Sequence, residues 1–288
     1  MPTLTPNVLV GTNDGLRFTE SPRWRAGAWW LLDIHDSRIK KVDLEGTLQT
    51  AVELPFKPNA LGFRSDGSMV FSDALKLTVY AWDGDLKPLA DLSGITTFCL
   101  SDGIVDARDR LYVGDIGYNF WDPSLSPVDT CVIACVEPDG RSRVVADGLS
   151  FPNGMAITPD GATLIVAETM AQRLTAFDVL PDGGLANRRV FAQLPDDVRP
   201  DGIALDAEGA VWVASPETQP TVLRVREGGE IVESIEMDTP AYAVMLGGPE
   251  RRHLLISASH THNPVEIATA PSATLRVVEV EVPGAGRP

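Results

Sequence analysis

Polar and apolar positions along this chain fall into short blocks, and the clearest block runs from Phe151 to Glu168. Asn153 stands between Pro152 and Gly154 and precedes the apolar run Met155-Ala156-Ile157. Pro159-Asp160-Gly161 then supplies turn chemistry, because Pro presets φ and Gly tolerates φ > 0. A second apolar run, Leu164-Ile165-Val166-Ala167, ends on an acid, Glu168. The pattern predicts a β-hairpin with a polar group at the start of its first strand.

The block is written several more times. Glu20-Ser21-Pro22-Arg23-Trp24 leads into Ala28-Trp29-Trp30-Leu31-Leu32-Asp33, and Pro58-Asn59-Ala60-Leu61-Gly62-Phe63 leads into Met69-Val70-Phe71-Ser72-Asp73. Ser101-Asp102-Gly103-Ile104-Val105 is followed by Leu111-Tyr112-Val113-Gly114-Asp115. Pro200-Asp201-Gly202-Ile203-Ala204-Leu205 is followed by Val211-Trp212-Val213-Ala214-Ser215. A degenerate copy has Ala243 at the anchor and His253 to Ala258 as its return strand. The anchors Glu20, Asn59, Asp102, Asn153, Asp201 and Ala243 lie 39, 43, 51, 48 and 42 residues apart. With two further strand patterns per copy, that period predicts an all-β, six-bladed β-propeller of four-stranded antiparallel blades around a central channel.

No amphipathic helix or linker is expected, so residues 1–288 read as one domain. Asn7-Val8-Leu9-Val10 is expected to join Leu275 to Val280 in one sheet, closing the ring and removing an exposed edge.

This topology says where chemistry can occur. The anchors gather around the channel at one end, and each antiparallel return strand brings its last residue back to that end. Those residues are Asp33, Asp73, Asp115, Glu168, Ser215 and Ser259. Either they make the mouth rich in carboxylates or they cap the loops that follow. Converging oxygen donors suit a hard divalent cation such as Ca²⁺, with Mn²⁺, Fe²⁺ and Zn²⁺ left open.

Composition narrows the function. A formal net charge of −16 argues against nucleic acid as a partner, since that needs a basic footprint. Three cysteines make no disulfide framework and suit a reducing compartment. Cys131 and Cys135 lie on one side of a strand, as small core residues. No apolar run reaches the length of a membrane span, and the first residues lack signal-peptide character, so a cytoplasmic protein with no membrane partner is expected. No nucleophile elbow or P-loop occurs.

The four motifs Glu20-Ser21-Pro22-Arg23-Trp24, Ser101 to Asp106, Pro152 to Ala156 and Pro200 to Leu205, in that order, carry a resemblance. The chain resembles the SMP-30/gluconolactonase/LRE-like family of six-bladed propellers over nearly its whole length. The resemblance implies one divalent metal ion, held by Glu20, Asn153 and Asp201, and a lactonase activity in which Asp201 is both ligand and general base. A small-molecule lactone is the implied partner; oligomeric state is left open.

The chain also departs from that family. Members acting on sugar lactones carry Arg-x-Asn-Asp-Gly in the third blade, where Arg and Asn contact the substrate. Here Cys99 and Ser101 occupy those places, and Ser21 replaces a usual Gly. A thiol replaces none of the five donors of a guanidinium. The following loop, Tyr118-Asn119-Phe120-Trp121-Asp122-Pro123, is aromatic. A less hydroxylated substrate than gluconolactone is expected, with Ser101, Asp102, Asn59 and Asn119 as candidate contacts. His260 is a candidate acid/base or rim group, and His35 and His262 share that ambiguity. Alternatives on the same site are phosphotriester hydrolysis, an isomerase or cyclase, and a non-enzymatic propeller scaffold.

Overall fold

Each repeat folds as its alternation dictates, and a computed structural model describes residues 4–119, 124, 128, 130–217 and 220–286. After β1 (Asn7–Val10), blade one is β2 (Thr19–Arg25), β3 (Ala28–Asp33), β4 (Arg38–Val42) and β5 (Leu48–Glu53). Blade two is β6 (Pro58–Phe63), β7 (Met69–Asp73), β8 (Thr78–Trp82) and β9 (Leu86–Asp91). Blade three is β10 (Leu100–Val105), β11 (Leu111–Asp115), β12 (Cys131–Val136) and β13 (Ser142–Leu149). Blade four is β14 (Pro152–Ile157), β15 (Thr163–Glu168), β16 (Arg173–Val179) and β17 (Leu185–Gln193). Blade five is β18 (Ile203–Leu205), β19 (Val211–Ser215), β20 (Thr221–Val225) and β21 (Ile231–Glu236). Blade six is β22 (Ala241–Gly247), β23 (His253–Ala258) and β24 (Thr274–Glu279), completed by β1. This is a six-bladed β-propeller, as the repeat predicts. β1 pairs antiparallel with β24, Asn7 opposite Val277 and Val8 opposite Arg276, so the ring closes as expected.

The apolar core lies between blades. Val70, Val79, Val113 and Ala134 pack blade two on blade three, and Ile165, Leu174, Val211 and Val213 pack blade four on blade five. Every neighbouring pair has such a layer. Each fully buried Val, Leu or Ile contributes about 1.5–3 kcal/mol, so the layers hold the ring and the channel can remain polar.

The inner strands touch one another in ring order, and this explains the glycine after two anchors. Gly154 and Gly202 both have negative φ, so neither is there for its turn-forming freedom. A Cβ on Gly154 would stand 2.5 Å from the Asp201 carbonyl oxygen, and one on Gly202 would stand 2.6 Å from the Ala243 Cα. Absence of a side chain lets the inner backbones meet.

The return-strand acids cap loops. Asp33 accepts from the backbone N–H groups of Arg17 and Phe18, Asp115 from Thr97 and Gly117, and Glu168 from Ser150. Asp73 accepts from Leu75 and Lys76. All four are buried, and none lines the channel cavity. The second of the two sequence readings therefore holds for them.

One element departs from the all-strand expectation. A short helix, α1 (Pro264–Thr269), lies between β23 and β24; Asn263 caps it by accepting from Val265, and Pro264 follows the cap. Pro at the first helical position costs no hydrogen bond. No helix among the described residues is long and apolar enough to cross a membrane. Cys99, Cys131 and Cys135 are all buried.

Candidate active site

Irregular pairing at the start of the inner strands builds the site. Register shifts fall between Glu20 and Arg23, Asn59 and Gly62, Leu100 and Gly103, and Pro152 and Met155. A bulge leaves a residue out of the ladder and re-aims its side chain. Ser101, Asp102 and Asn153 fall inside these shifts, Glu20 and Asn59 are the last paired residues before theirs, and all five line one cavity of about 180 Å³ at the channel end. Asp201 joins them from the segment leading into β18. Its backbone is tied on both sides: Asp201 N–H donates to Ala214 at 2.9 Å, and Gly154 N–H donates to the Asp201 carbonyl at 3.2 Å.

Glu20 and Asp201 define the electrostatics. Burial raises the Glu20 pKa well above its ordinary range, and repulsion from Asp201 and Asp102 adds to this; the Ser21 backbone N–H and Arg23 only partly oppose it. Burial and then repulsion from Asp102 push Asp201 up to about 8, against a hydrogen bond from Asn153. Neither carboxylate has a salt-bridge partner among the described residues, because the nearby Arg23 pairs with Asp102 at 3.1 Å.

Asp102 is differently placed. One of its oxygens accepts from Ser21 Oγ at 2.6 Å, from Arg23 at 3.1 Å and from the Gly103 N–H at 2.8 Å. Asn59 donates to the Leu100 carbonyl at 3.1 Å. Ser101 Oγ lies 3.4 Å from Asn153 Oδ1, and the Asn153 amide donates to Thr169 Oγ1 at 3.3 Å. These contacts set the amide so that its oxygen faces Ser101 and its nitrogen faces Thr169.

Six side chains make an apolar wall that sequence reading largely missed: Phe18, Ile34, Ile116, Tyr118, Phe151 and Tyr242. Phe18 meets Tyr242 edge-on at 4.8 Å, and Tyr118 meets Phe151 edge-on at 5.9 Å. Cys99 is fully buried behind Ile116 and Phe151. The wall comes from segments of four blades, so no single local pattern announces it, although Phe151 and Tyr242 adjoin recognised anchors and Tyr118 begins the aromatic loop.

Of the other predicted residues, His35 and His262 line the cavity, and His35 Nε2 lies 3.1 Å from the His262 carbonyl oxygen. Burial lowers the pKa of both imidazoles. His260 is exposed outside the cavity lining, and Asn119 is half-buried and also outside it. Phe120, Trp121, Asp122 and Pro123 lie outside the described residues, as does Thr218.

The donor set fits a hard divalent cation. Two carboxylates that repel each other and have no salt-bridge partner among the described residues, beside a neutral amide oxygen, are the groups such an ion stabilises. No three His, Cys, Asp or Glu side chains among the described residues form a ligand group by themselves. A cation here therefore draws on the Asn153 amide and on water.

A six-bladed propeller with an oxygen-lined cavity at one end of its channel defines the class of protein. The family described as SMP-30/Gluconolactonase/LRE-like region matches residues 18–260. The chain belongs to that family. It is 27% identical over 280 residues to 6-deoxy-6-sulfogluconolactonase of Pseudomonas putida, covering 93% of each chain. It is 26% identical to regucalcin of Danio rerio, covering 92% of each. Among solved structures, a calcium-binding regucalcin from Agrobacterium tumefaciens superposes with a TM-score of 0.81 at 23% identity, covering 100% of this chain and 99% of that one. The last likeness concerns the fold.

Proposed function

We propose that this chain is a divalent-cation-dependent lactonase that opens a cyclic ester less hydroxylated than gluconolactone. The observation that carries the reading is the pair Glu20 and Asp201, facing one cavity with raised proton affinity and no salt-bridge partner among the described residues. Family membership and the named lactonase relative support ring opening.

Glu20, Asn153 and Asp201 are the residues that would hold the ion. When bound, a divalent cation supplies Lewis acidity toward an ester carbonyl and lowers the pKa of water. The Asp201 carboxylate takes a proton from the attacking water as general base. The water oxygen bonds to the carbonyl carbon, the ring C–O bond breaks, and the departing alkoxide recovers the proton, giving a hydroxy acid. Asn153, oriented by Ser101 and Thr169, presents a neutral oxygen that adds no further negative charge. Ser101 and Asn59 offer polar contacts to the ring, and Asp102 is a further candidate contact through its second oxygen. The wall of Phe18, Tyr242, Tyr118 and Phe151 favours an apolar substituent and excludes water from it.

The test follows proton release from a panel of alkyl, aryl and sugar lactones before and after chelation. Hydrolysis that prefers alkyl or aryl lactones, is lost on chelation and returns with Ca²⁺, Mn²⁺, Fe²⁺ or Zn²⁺ is the expected result. Cation binding without hydrolysis of any lactone would move the chemistry to phosphotriesters or isomerisation. Hydrolysis indifferent to chelation would remove the cation from the reaction.

A further inference from the structure

Arg199 is the one formally cationic side chain lining the cavity among the described residues, and neither cation binding nor ring opening uses it. Its backbone N–H donates to Ser215 Oγ at 3.0 Å, which anchors the main chain. Its guanidinium is poorly used. Nε stands 3.8 Å from Glu217 Oε1, beyond hydrogen-bond distance, and Nη1 reaches the Met170 carbonyl only at 3.5 Å. The side chain is about one-third exposed, at 33%. A guanidinium has five donors in a planar fork that matches carboxylate-like oxygens in pairs.

Position limits the ligand. Arg199 is two residues before Asp201, so the two main-chain positions are at most about 7 Å apart along the chain. Arg199 lines the same cavity as the polar anchors and the apolar wall, together with Met170, Pro216 and Glu217.

We infer that the cavity takes a ring compound carrying an anionic group on a short arm, a carboxylate or sulfonate that Arg199 holds in its guanidinium fork. Glu217 is the acceptor that this anion displaces. This rests on the cavity being the small-molecule site of the proposed lactonase, and it narrows the substrate to an anionic lactone with an apolar body.

Binding separates this from the hydrolytic reading. The probes are a phenyl-substituted γ-lactam with a carboxymethyl arm and its neutral carboxamide; neither is opened as an ester. Calorimetry on protein loaded with Ca²⁺ is expected to show the carboxylate form bound at least tenfold more tightly. In Arg199→Gln the ratio of the two affinities falls toward one, a loss of about tenfold to a hundredfold for a charge-assisted pair. Arg199→Lys restores part of the preference, since it keeps the charge and loses the fork. Glu217→Gln strengthens carboxylate binding by removing the competing acceptor. Unchanged melting temperatures identify these as effects on the site. A preference for the carboxylate lactam that Arg199→Gln abolishes supports the inference even if no lactone is hydrolysed. Equal affinity for the two lactams, no measurable binding of the carboxylate form, or an unchanged ratio in Arg199→Gln overturns it.

Discussion

Gly154 donates its backbone N–H to the carbonyl of Asp201 at 3.2 Å, which ties the inner strand of blade four to the segment carrying the candidate base. Asn153 and Asp201 are therefore brought together by main chain, and the contact requires an absent Cβ. Gly154→Ala should cost about 1–3 kcal/mol, the usual range for overpacking, because the new carbon stands 2.5 Å from one backbone atom and 2.6 Å from another. Gly161→Ala tests a different cause, since nothing lies within 4 Å there and only its positive φ of 73° resists. Urea denaturation of both variants, with cation affinity measured alongside, should show loss of binding only for Gly154→Ala.

Arg23 and Asp102 form a buried pair with side chains 4% and 9% exposed. Removing one member strands the other, at about 3–5 kcal/mol. Arg23→Met should be destabilised by that order, and adding Asp102→Asn should recover part of the loss. Additive losses in the double variant would show that the pair has no joint energy.

Glu168 makes stability depend on pH. Burial alone would raise its pKa, but hydrogen bonds from Arg173, Thr175 and the Ser150 backbone, with the charge of Arg173, hold it below its ordinary 4.5. The folded state therefore binds this proton less readily than the unfolded state does. Its contribution is complete above the unfolded value and fades as pH falls through the depressed one. Urea midpoints should drop from about pH 5 downward, and Glu168→Gln should flatten that part of the profile. An equal slope in the variant would assign the acid sensitivity elsewhere.

Cys99, Cys131 and Cys135 are buried, and burial pushes the Cys131 and Cys135 thiols up to about 11. Only thiolates react. A thiol-specific reagent should leave the native protein unlabelled and titrate three groups after denaturation; prompt native labelling would contradict the packing of blade three.

The ring and its polar anchors could be read from the chain because each blade is a local unit with its own period. Glu20, Asn59, Asp102, Asn153 and Asp201 mark strand starts, and strand starts face the channel. The same reasoning left Asp33, Asp115 and Glu168 between two roles, since a strand end places the Cα but the following loop decides what the carboxylate accepts. It could not assemble the wall of Phe18, Tyr118, Phe151 and Tyr242, which meet only after the ring closes. Arg199 stood beside a recognised motif yet gave no signal, because a single Arg in a loop resembles many solvated ones. Helix α1 is too short for an amphipathic period to register, although Asn263-Pro264 is a recognisable start. His260 and His262 are two residues apart and both exposed, and only His262 lines the cavity, its ring meeting Tyr242 edge-on.

The most direct measurement is calorimetric titration of Ca²⁺, Mn²⁺, Fe²⁺ and Zn²⁺ into chelator-stripped protein, repeated on Glu20→Gln and Asp201→Asn. One equivalent of cation bound by the unaltered chain, with affinity reduced at least tenfold in each variant and lactone hydrolysis lost with it, is the predicted result. No binding of any of the four ions, or variants that bind as well as the unaltered chain, would contradict the assignment of Glu20, Asn153 and Asp201 as the metal site.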